Sequence, residues 1–399
     1  MANYPYVLPA IYVAATFLVT TGLGGLLARA GFRLPQGPRI GCIDGLRGYL
    51  AVAVFTSHAL LWVQMSAPGG SWGGHPTNML NQLGNGAVGL FFMASGLVFY
   101  PYIQRGLAAT SWPVVYISRI FRILPLVAAS VMIITLVVAA KIGRWPSASD
   151  LPALGQWLVG YAAPPLMGYS ESWLVNAGVL WSIWYEWVFY IAALPIFAAI
   201  SDLTRSHLPV YLLPVAAITI AVLFRAFHIP VGFMTYLPLF AVGMLAYEAR
   251  QRDWVVRVLR TNVAALGAVA ALIAGMNIAS TPTTIALPFF AFFFVCVACG
   301  NSLFGALSTD GARVLGECSF SVYVLHAIVL YVLFVFAGID VLPAPFELAV
   351  ALPLAAVLVV AIAAGAFLLV EKPAIAVGRE ISRAWFGKPA SPMRADIAP

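Results

Sequence analysis

Charged residues are scarce in this chain. Only 9% of its 399 residues are Asp, Glu, Lys or Arg, whereas soluble domains carry about a quarter. Hydrophobic residues make up 62% of the chain, and the mean hydropathy is +0.95. These values exclude an ordinary soluble fold and, with apolar runs of helical length, predict an all-α polytopic transmembrane helix bundle.

Cysteine is scarce too. The four cysteines, Cys42, Cys296, Cys299 and Cys318, form neither a disulfide framework nor a zinc-binding pattern. Cys296 and Cys299 are three positions apart within an apolar run, without a second pair, so we expect small buried residues there. The sequence therefore predicts no metal site.

Several functional motifs are missing. The chain has no nucleophile elbow, phosphate-binding glycine loop, HExxH zinc motif or nucleic-acid-binding module. Its net charge of +7 does not indicate a nucleic-acid partner, because the basic residues lie between apolar segments. No basic region precedes the first apolar run, so that run is expected to be a retained anchor.

Apolar runs of about 18 or more residues predict eleven membrane spans. We expect them near residues 6–28, 43–65, 85–104, 121–140, 178–200, 208–225, 231–248, 255–276, 284–304, 318–338 and 347–370. The intervening stretch 141–177 is rich in proline and aromatic residues. We expect it to fold back over the bundle as a cap or a re-entrant segment.

The distribution of Lys and Arg predicts the orientation. If the loop 29–42 faces the cytoplasm, that side holds 18 of the 21 basic residues, and the other side holds Lys141, Arg144 and Arg225. The N-terminus is then outside and the C-terminus cytoplasmic. The tail 376–399 is short and basic, and we expect it to be partly disordered and associated with the membrane surface.

The segment 43–65 carries the most informative polar residues. Arg47 and His58 are eleven positions apart, or roughly three helical turns, so both project from nearly one face about 16 Å apart, with Asp44 beside them. Ionisable groups inside a membrane helix are costly, which indicates a polar cavity. With an unperturbed pKa of about 6.5, His58 suits general-base catalysis better than nucleophilic catalysis.

Further polar side chains have a functional and a structural interpretation. Arg119 and Arg122 share a helix face and suit phosphate oxygens, although basic residues also flank cytoplasmic helix ends in general. Glu186 needs a partner, for which Arg47, His58 or a substrate hydroxyl are candidates, the alternative being a structural ion pair with an arginine. His326 lies one turn after Tyr323 and could equally be bonded to a backbone carbonyl.

Ser95 belongs to a stretch of small residues, 88–96, for which close helix packing is a sufficient explanation. His75, His207 and His228 fall in predicted loops and are given no role.

Taken in order, these motifs resemble the acyltransferase-3 family, whose members are integral-membrane O-acyltransferases of cell-envelope or exported carbohydrates. The resemblance covers residues 39–375. It is carried by Asp44-Gly45-Leu46-Arg47-Gly48…His58, Phe91-Phe92…Ser95-Gly96, Arg119…Arg122…Pro125, Trp181-Ser182…Glu186, Ser319-Phe320-Ser321…Tyr323…His326 and Glu371-Lys372-Pro373.

The resemblance implies a ten-helix bundle, preceded here by an extra helix and loop in residues 1–38, in a bacterial inner membrane. It implies an acyl-CoA donor, usually acetyl-CoA, approached from the cytoplasm, and a sugar hydroxyl of a polysaccharide, lipopolysaccharide or glycolipid as acceptor. His58 matches the essential histidine of the family and Arg47 its arginine partner. Arg119 and Arg122 match the paired arginines near the donor. Glu186, Tyr323 and His326 match positions with less settled roles.

The resulting hypothesis is that His58 removes a proton from the acceptor hydroxyl as it attacks the thioester. Arg47 would orient the site or stabilise the oxyanion, while Arg119 and Arg122 hold CoA phosphates. Some family members carry an esterase-like domain that completes transfer outside the membrane, so either this bundle finishes the reaction or a separate periplasmic transferase does. The alternatives are a secondary transporter, although no repeat is visible, and a polysaccharide-export partner without acyl-transfer activity.

Overall fold

The computed structural model describes residues 7–32, 34, 40–67, 69–283, 285–338 and 345–387. Every regular element in those residues is helical. In chain order the helices are α1 (Val7–Arg29), α2 (Gly41–Ser66), α3 (Asn78–Arg105), α4 (Trp112–Ile142), α5 (Leu151–Val159), α6 (Trp181–Val188), α7 (Leu194–Thr204), α8 (Leu212–Ala226), α9 (Gly232–Arg250), α10 (Asp253–Leu259), α11 (Asn262–Ile278), α12 (Leu287–Ala298), α13 (Asp310–Glu317), α14 (Ser319–Tyr331), α15 (Pro345–Ala366) and α16 (Lys372–Phe386).

The prediction of an all-α polytopic membrane bundle is confirmed. Within the described ranges, seven continuous helical segments are long and apolar enough to cross a membrane, or eight if α10 and α11, bent by 74°, count as one span. This number is lower than the predicted eleven. Three predicted spans have no counterpart in this count. Two of them coincide with α8 and α12, which are too short to be counted, and the third coincides with α9, which is 19 residues long but is not among the seven segments.

Helix α2 lies at the centre of the bundle. In its most apolar stretch 83% of the residues are buried, against 72% in α3 and 22% in α1. Glycines allow these helices to approach their neighbours closely. A Cβ atom at Gly45 would collide with the carbonyl of Leu307, and one at Gly243 of α9 with a backbone carbonyl of α3. The hydrophobic effect does not drive helices together in lipid, so close packing contacts of this kind hold the bundle together instead.

Residues 143–180 fold back onto the bundle, as expected. A 3₁₀ turn, Ser172–Asn176, packs against α14, and the Trp157 indole donates to the carbonyl of Pro164 at 2.8 Å. Arg144 forms an ion pair with Asp150 at 2.6 Å. We call this stretch the cap.

The C-terminal region differs from the expectation of a partly disordered tail. Helix α16 continues to Phe386 and packs against α4, where Gly378 faces the ring of Phe121. The remainder of the predicted tail, residues 388–399, lies outside the described residues, as do Arg33 and Arg39 of the loop 29–42. The orientation in the membrane stays a prediction.

Candidate functional site

The structure brings two histidines of different helices together. His58 of α2 and His326 of α14 are 268 positions apart in sequence, yet the Nδ1 atom of His58 lies 3.0 Å from the Nε2 atom of His326. Each Nδ1 atom also lies 3.1 Å from a backbone carbonyl one turn earlier, that of Val54 for His58 and that of Val322 for His326. We call these two residues the histidine pair.

The hydrogen bonds assign the tautomers of the histidine pair. Nδ1 of His326 faces a carbonyl oxygen, which only accepts, so that nitrogen carries the proton and Nε2 of His326 has the lone pair. Nδ1 of His58 must then donate to Nε2 of His326, and to the Val54 carbonyl as well. Nε2 of His58 is left with a free lone pair. This is the arrangement that a general base requires.

The two histidines differ in burial. His326 is fully buried at 0% exposure, with Phe55 edge-on to its ring. His58 is partly exposed, and its ring is nearly parallel to that of Trp72, with centroids 6.1 Å apart. His58 is therefore the member of the pair that a ligand could touch, and His326 contacts it from the buried side.

Arg47 belongs to a different group of residues. The charged side chains close enough to interact electrostatically with it are Asp44, Arg122, Glu317 and Glu371. We call these five residues the charged cluster. Arg47 and His58 were expected to act together on one helix face. In the structure, the neighbours of Arg47 are this cluster, whereas those of His58 are His326 and Trp72.

Glu371 is the centre of the charged cluster. It is 1% exposed, forms an ion pair with Arg122 at 2.7 Å and accepts a hydrogen bond from Ser321 at 2.8 Å. It lies at the end of a π-helical turn, Phe367–Glu371, a feature often found at functional positions. In the sequence, Glu371 stands out only as the start of a motif, because its partner Arg122 is 249 positions away.

Arg119 and Arg122 have different surroundings despite their shared helix face. Arg122 is partly neutralised by Glu371, whereas Arg119 takes no part in the ion pairs of the described residues. The Arg119 guanidinium lies 5.0 Å from the centre of the Phe99 ring and 3.1 Å from the Ser118 hydroxyl. Its Nε atom is buried and has no hydrogen-bond partner among the same residues. Arg119 is therefore the more available anion ligand.

Glu186 does not contact Arg47 or His58. Its two carboxylate oxygens accept hydrogen bonds from Ser95 at 3.1 Å and from Tyr190 at 2.9 Å. Ser95 thus has a polar partner in addition to the packing role that the sequence suggested. An intramembrane carboxylate needs polar partners, and these two hydroxyls supply them.

Tyr323 is engaged in holding the end of the cap. Its hydroxyl donates to the carbonyl of Val179 at 2.8 Å and lies 2.7 Å from the hydroxyl of Ser182, which completes the arrangement as donor. Both partners lie where the cap enters α6. Tyr323 therefore fixes the cap against α14 directly beside His326, and its contacts are those of a supporting residue.

His75, Trp72 and Trp173 were given no role from the sequence. Trp72 and His75 lie close to His58, and Trp173 lies next to Trp72. The Nε2 atom of His75 is 3.0 Å from the hydroxyl of Ser57, and the ring of Trp173 is 5.9 Å from that of Trp72. Loop residues of this kind have no periodic signal, so their position became visible only in the fold. Among the described residues, no group of three His, Cys, Asp or Glu side chains is placed to hold a metal ion.

Comparison with known proteins agrees with the resemblance. A family model described as an acyltransferase domain matches residues 40–370, from the start of α2 to the π-helical turn that carries Glu371. Helix α1 precedes the matched region. Neither the curated proteins nor the solved structures contain a match to the chain.

Proposed function

The chain belongs to the acyltransferase-3 family, and on this basis we propose that it is a membrane O-acyltransferase that moves an acyl group, in the simplest case acetyl, from acyl-CoA to a sugar hydroxyl. The acceptor sugar would belong to a polysaccharide, a lipopolysaccharide or a glycolipid. The observation that carries the proposal is the 3.0 Å contact of the histidine pair, because it leaves one partly exposed imidazole nitrogen free to act as a base.

In the proposed reaction, Nε2 of His58 takes the proton of the acceptor hydroxyl while the hydroxyl oxygen attacks the thioester carbonyl. The new C–O bond forms, the C–S bond breaks, and the proton passes from His58 to the leaving thiolate. The products are the ester and free CoA. Nε2 of His326 accepts a hydrogen bond from Nδ1–H of His58 throughout. It thereby stabilises the imidazolium form of His58 that exists between the two proton transfers.

The donor phosphates are proposed to bind near the N-terminal turns of α2 and α4, where Arg47, Arg119 and Arg122 lie. Arg119 has no carboxylate partner within the described residues, and guanidinium groups suit phosphate oxygens, so we assign it the main contact. Arg122 and Arg47 would add positive charge, reduced by Glu371. In the predicted orientation this end faces the cytoplasm of a bacterial cell, where acyl-CoA is present. Glu186 is proposed to organise the wall between α3 and α6 through Ser95 and Tyr190.

The test is an assay of thioester consumption by the purified full chain in lipid nanodiscs. With acetyl-CoA and a sugar acceptor, the protein should release free CoA and form an equimolar amount of sugar ester. His58→Ala should lower the rate about 10²–10⁴-fold, the usual contribution of a positioned general base. A His58→Ala protein with normal folding and full activity, or a wild-type protein that consumes no acyl-CoA with any alcohol, contradicts the proposal.

The proposed donor site is tested separately, by the KM for acetyl-CoA. Arg119→Lys keeps the charge but loses the planar fork of the guanidinium, so the KM for acetyl-CoA should rise while the KM for the acceptor stays constant. Arg257→Lys is a suitable control, because Arg257 is an exposed residue of α10. An unchanged donor KM in Arg119→Lys would remove Arg119 from phosphate binding.

A further inference from the structure

We propose that Trp72 and Trp173 form the acceptor subsite, in which a pyranose ring of the acceptor packs against the two indoles and places one hydroxyl at His58. The inference rests on the proposed function and extends it to residues outside the recognised motifs. We call the two residues the indole corner.

The indole corner consists of two nearly perpendicular rings, of which Trp72 lies beside the base and Trp173 lies beside Trp72. The Trp72 ring is nearly parallel to the His58 ring, at 17° and a centroid distance of 6.1 Å. The Trp173 ring meets that of Trp72 at 76° and 5.9 Å. Trp62 forms the floor, 5.4 Å from Trp72, and is 2% exposed. Trp72 and Trp173 are both partly exposed, so a ligand can reach them.

Hydrogen bonds hold the loop with Trp72, and packing against α14 holds the turn with Trp173. The Gln64 side chain donates to the carbonyls of Ser71 and Gly74 on either side of Trp72, at 3.5 and 3.4 Å. Asn81 binds both backbone groups of His75, at 2.9 Å each. Trp173 lies in the 3₁₀ turn that packs against α14, the helix of His326. A site held in this way loses little conformational entropy on binding.

Polar side chains lie at the edge of the same aromatic cluster. Tyr331 is 5.9 Å from Trp62, and its hydroxyl accepts a hydrogen bond from Lys141 at 3.2 Å. The ammonium of Lys141 also lies 5.2 Å from the centre of the Tyr169 ring, and Tyr169 donates to Glu171 at 3.1 Å. An apolar surface with a few polar groups at its rim suits a ligand that has an apolar face and polar edges. A pyranose ring has this character, with C–H bonds on its faces and hydroxyls around its edge.

The position of the corner favours the acceptor over the donor. Arg47 lies in the first turns of α2, close to Arg122 of α4, and the loop with Trp72 follows the last turn of α2, so the arginines and the indoles lie at opposite ends of one helix. A polyanionic donor is attracted to arginines, whereas a neutral polyol gains more from indole faces. Tryptophans of a membrane-interface belt face lipid and headgroups. Trp72 instead faces both His58 and Trp173, unlike Trp145 of the cap, which is 73% exposed.

The kinetic test uses the full chain in nanodiscs, which avoids detergents with sugar headgroups. The probes are methyl glucopyranoside and methyl galactopyranoside as acceptors, with 1-propanol as a non-sugar alcohol. Trp72→Ala and Trp173→Ala should each raise the KM for the glycosides about tenfold, with the KM for acetyl-CoA unchanged. Trp72→Phe, which keeps a ring, should raise it less, and Trp145→Ala should not change it. Unchanged glycoside KM values in both alanine variants, or equal rises for donor and acceptor, would overturn the inference.

A binding test separates this inference from the proposed function. In the His58→Ala background, saturation-transfer NMR should detect contact between the protein and the ring C–H protons of the methyl glycosides. The signal should be lost on adding Trp72→Ala and retained on adding Trp145→Ala. Glycoside binding without thioester consumption by the wild type would contradict the function and leave the subsite standing. Acylation of 1-propanol without glycoside binding, or a signal that persists in the Trp72→Ala protein, would refute the subsite.

Discussion

The histidine pair allows a quantitative prediction. His326 touches no substrate in the proposed reaction, so its substitution should act only through His58. When His58 has taken the proton, its Nδ1–H bond to His326 becomes a hydrogen bond to a charged group, worth about 1.5–3 kcal/mol. At 1.36 kcal/mol per factor of ten, His326→Ala should lower kcat about 10- to 150-fold. The carbonyl of Val54, 3.1 Å from the same nitrogen, remains as a second acceptor and favours the lower end of that range.

A double-mutant cycle provides the assay. Initial rates of CoA release are compared for the wild type, His58→Ala, His326→Ala and the double variant, with thermal unfolding as a check because His326 is fully buried. The double variant should be no slower than His58→Ala alone, since His326 has nothing left to position. His326→Gln, whose side-chain oxygen accepts a hydrogen bond, should recover part of the rate. A further loss of rate in the double variant, or a His326→Ala effect confined to KM, would refute the reasoning.

Three further predictions concern the surroundings of the site. Glu371→Gln should destabilise the protein by about 3 kcal/mol, because it leaves the Arg122 charge without its buried partner, and the Arg122→Gln/Glu371→Gln double variant should be more stable in thermal unfolding than the single one. Burial lowers the pKa of His75, in the loop between α2 and α3, from 6.5 to about 4. The unfolded chain therefore binds more protons between these values, and stability should fall from pH 6.5 to 4 more steeply in the wild type than in His75→Gln. Gly243→Ala should lower the melting temperature, because its Cβ would strike a carbonyl of α3, whereas Gly25→Ala, which has open space, should not.

The helices were largely predictable from the sequence because their signal is local. A run of about 18 apolar residues has few alternatives in a membrane protein, so the predicted span 43–65 closely matches α2, Gly41–Ser66. The count of spans was less predictable. Helices α8 and α12 are apolar but only 15 and 12 residues long, and composition alone does not reveal where a helix ends.

Some residues of the candidate site, such as His58 and His326, could be singled out from the sequence, but their pairing could not. Helical spacing places Arg47 and His58 on one face, and that inference concerns a single helix. Which other helix faces them depends on how α2 packs against α14 and on how the π-helical turn brings Glu371 to Arg122. These contacts join residues 268 and 249 positions apart. Periodicity contains no information about contacts between residues so far apart in sequence. Glu186 was therefore considered a candidate partner of Arg47 or His58, whereas the structure places it beside Ser95 and Tyr190.

In the proposed reaction, the two ends of α2 serve two reactants that have little chemistry in common. If a polyanion and a polyol entered by one route, they would compete for the same surface. The positive charges that attract the polyanion would contribute little to binding of the neutral polyol. Separate ends remove this competition but impose a length requirement. A donor bound at the arginines near the start of α2 must reach His58, which lies about 16 Å from Arg47 along the axis at 1.5 Å per residue. A long flexible arm between phosphate and thioester meets that requirement, and a donor that lacked the arm could bind the arginines without ever presenting its carbonyl to His58.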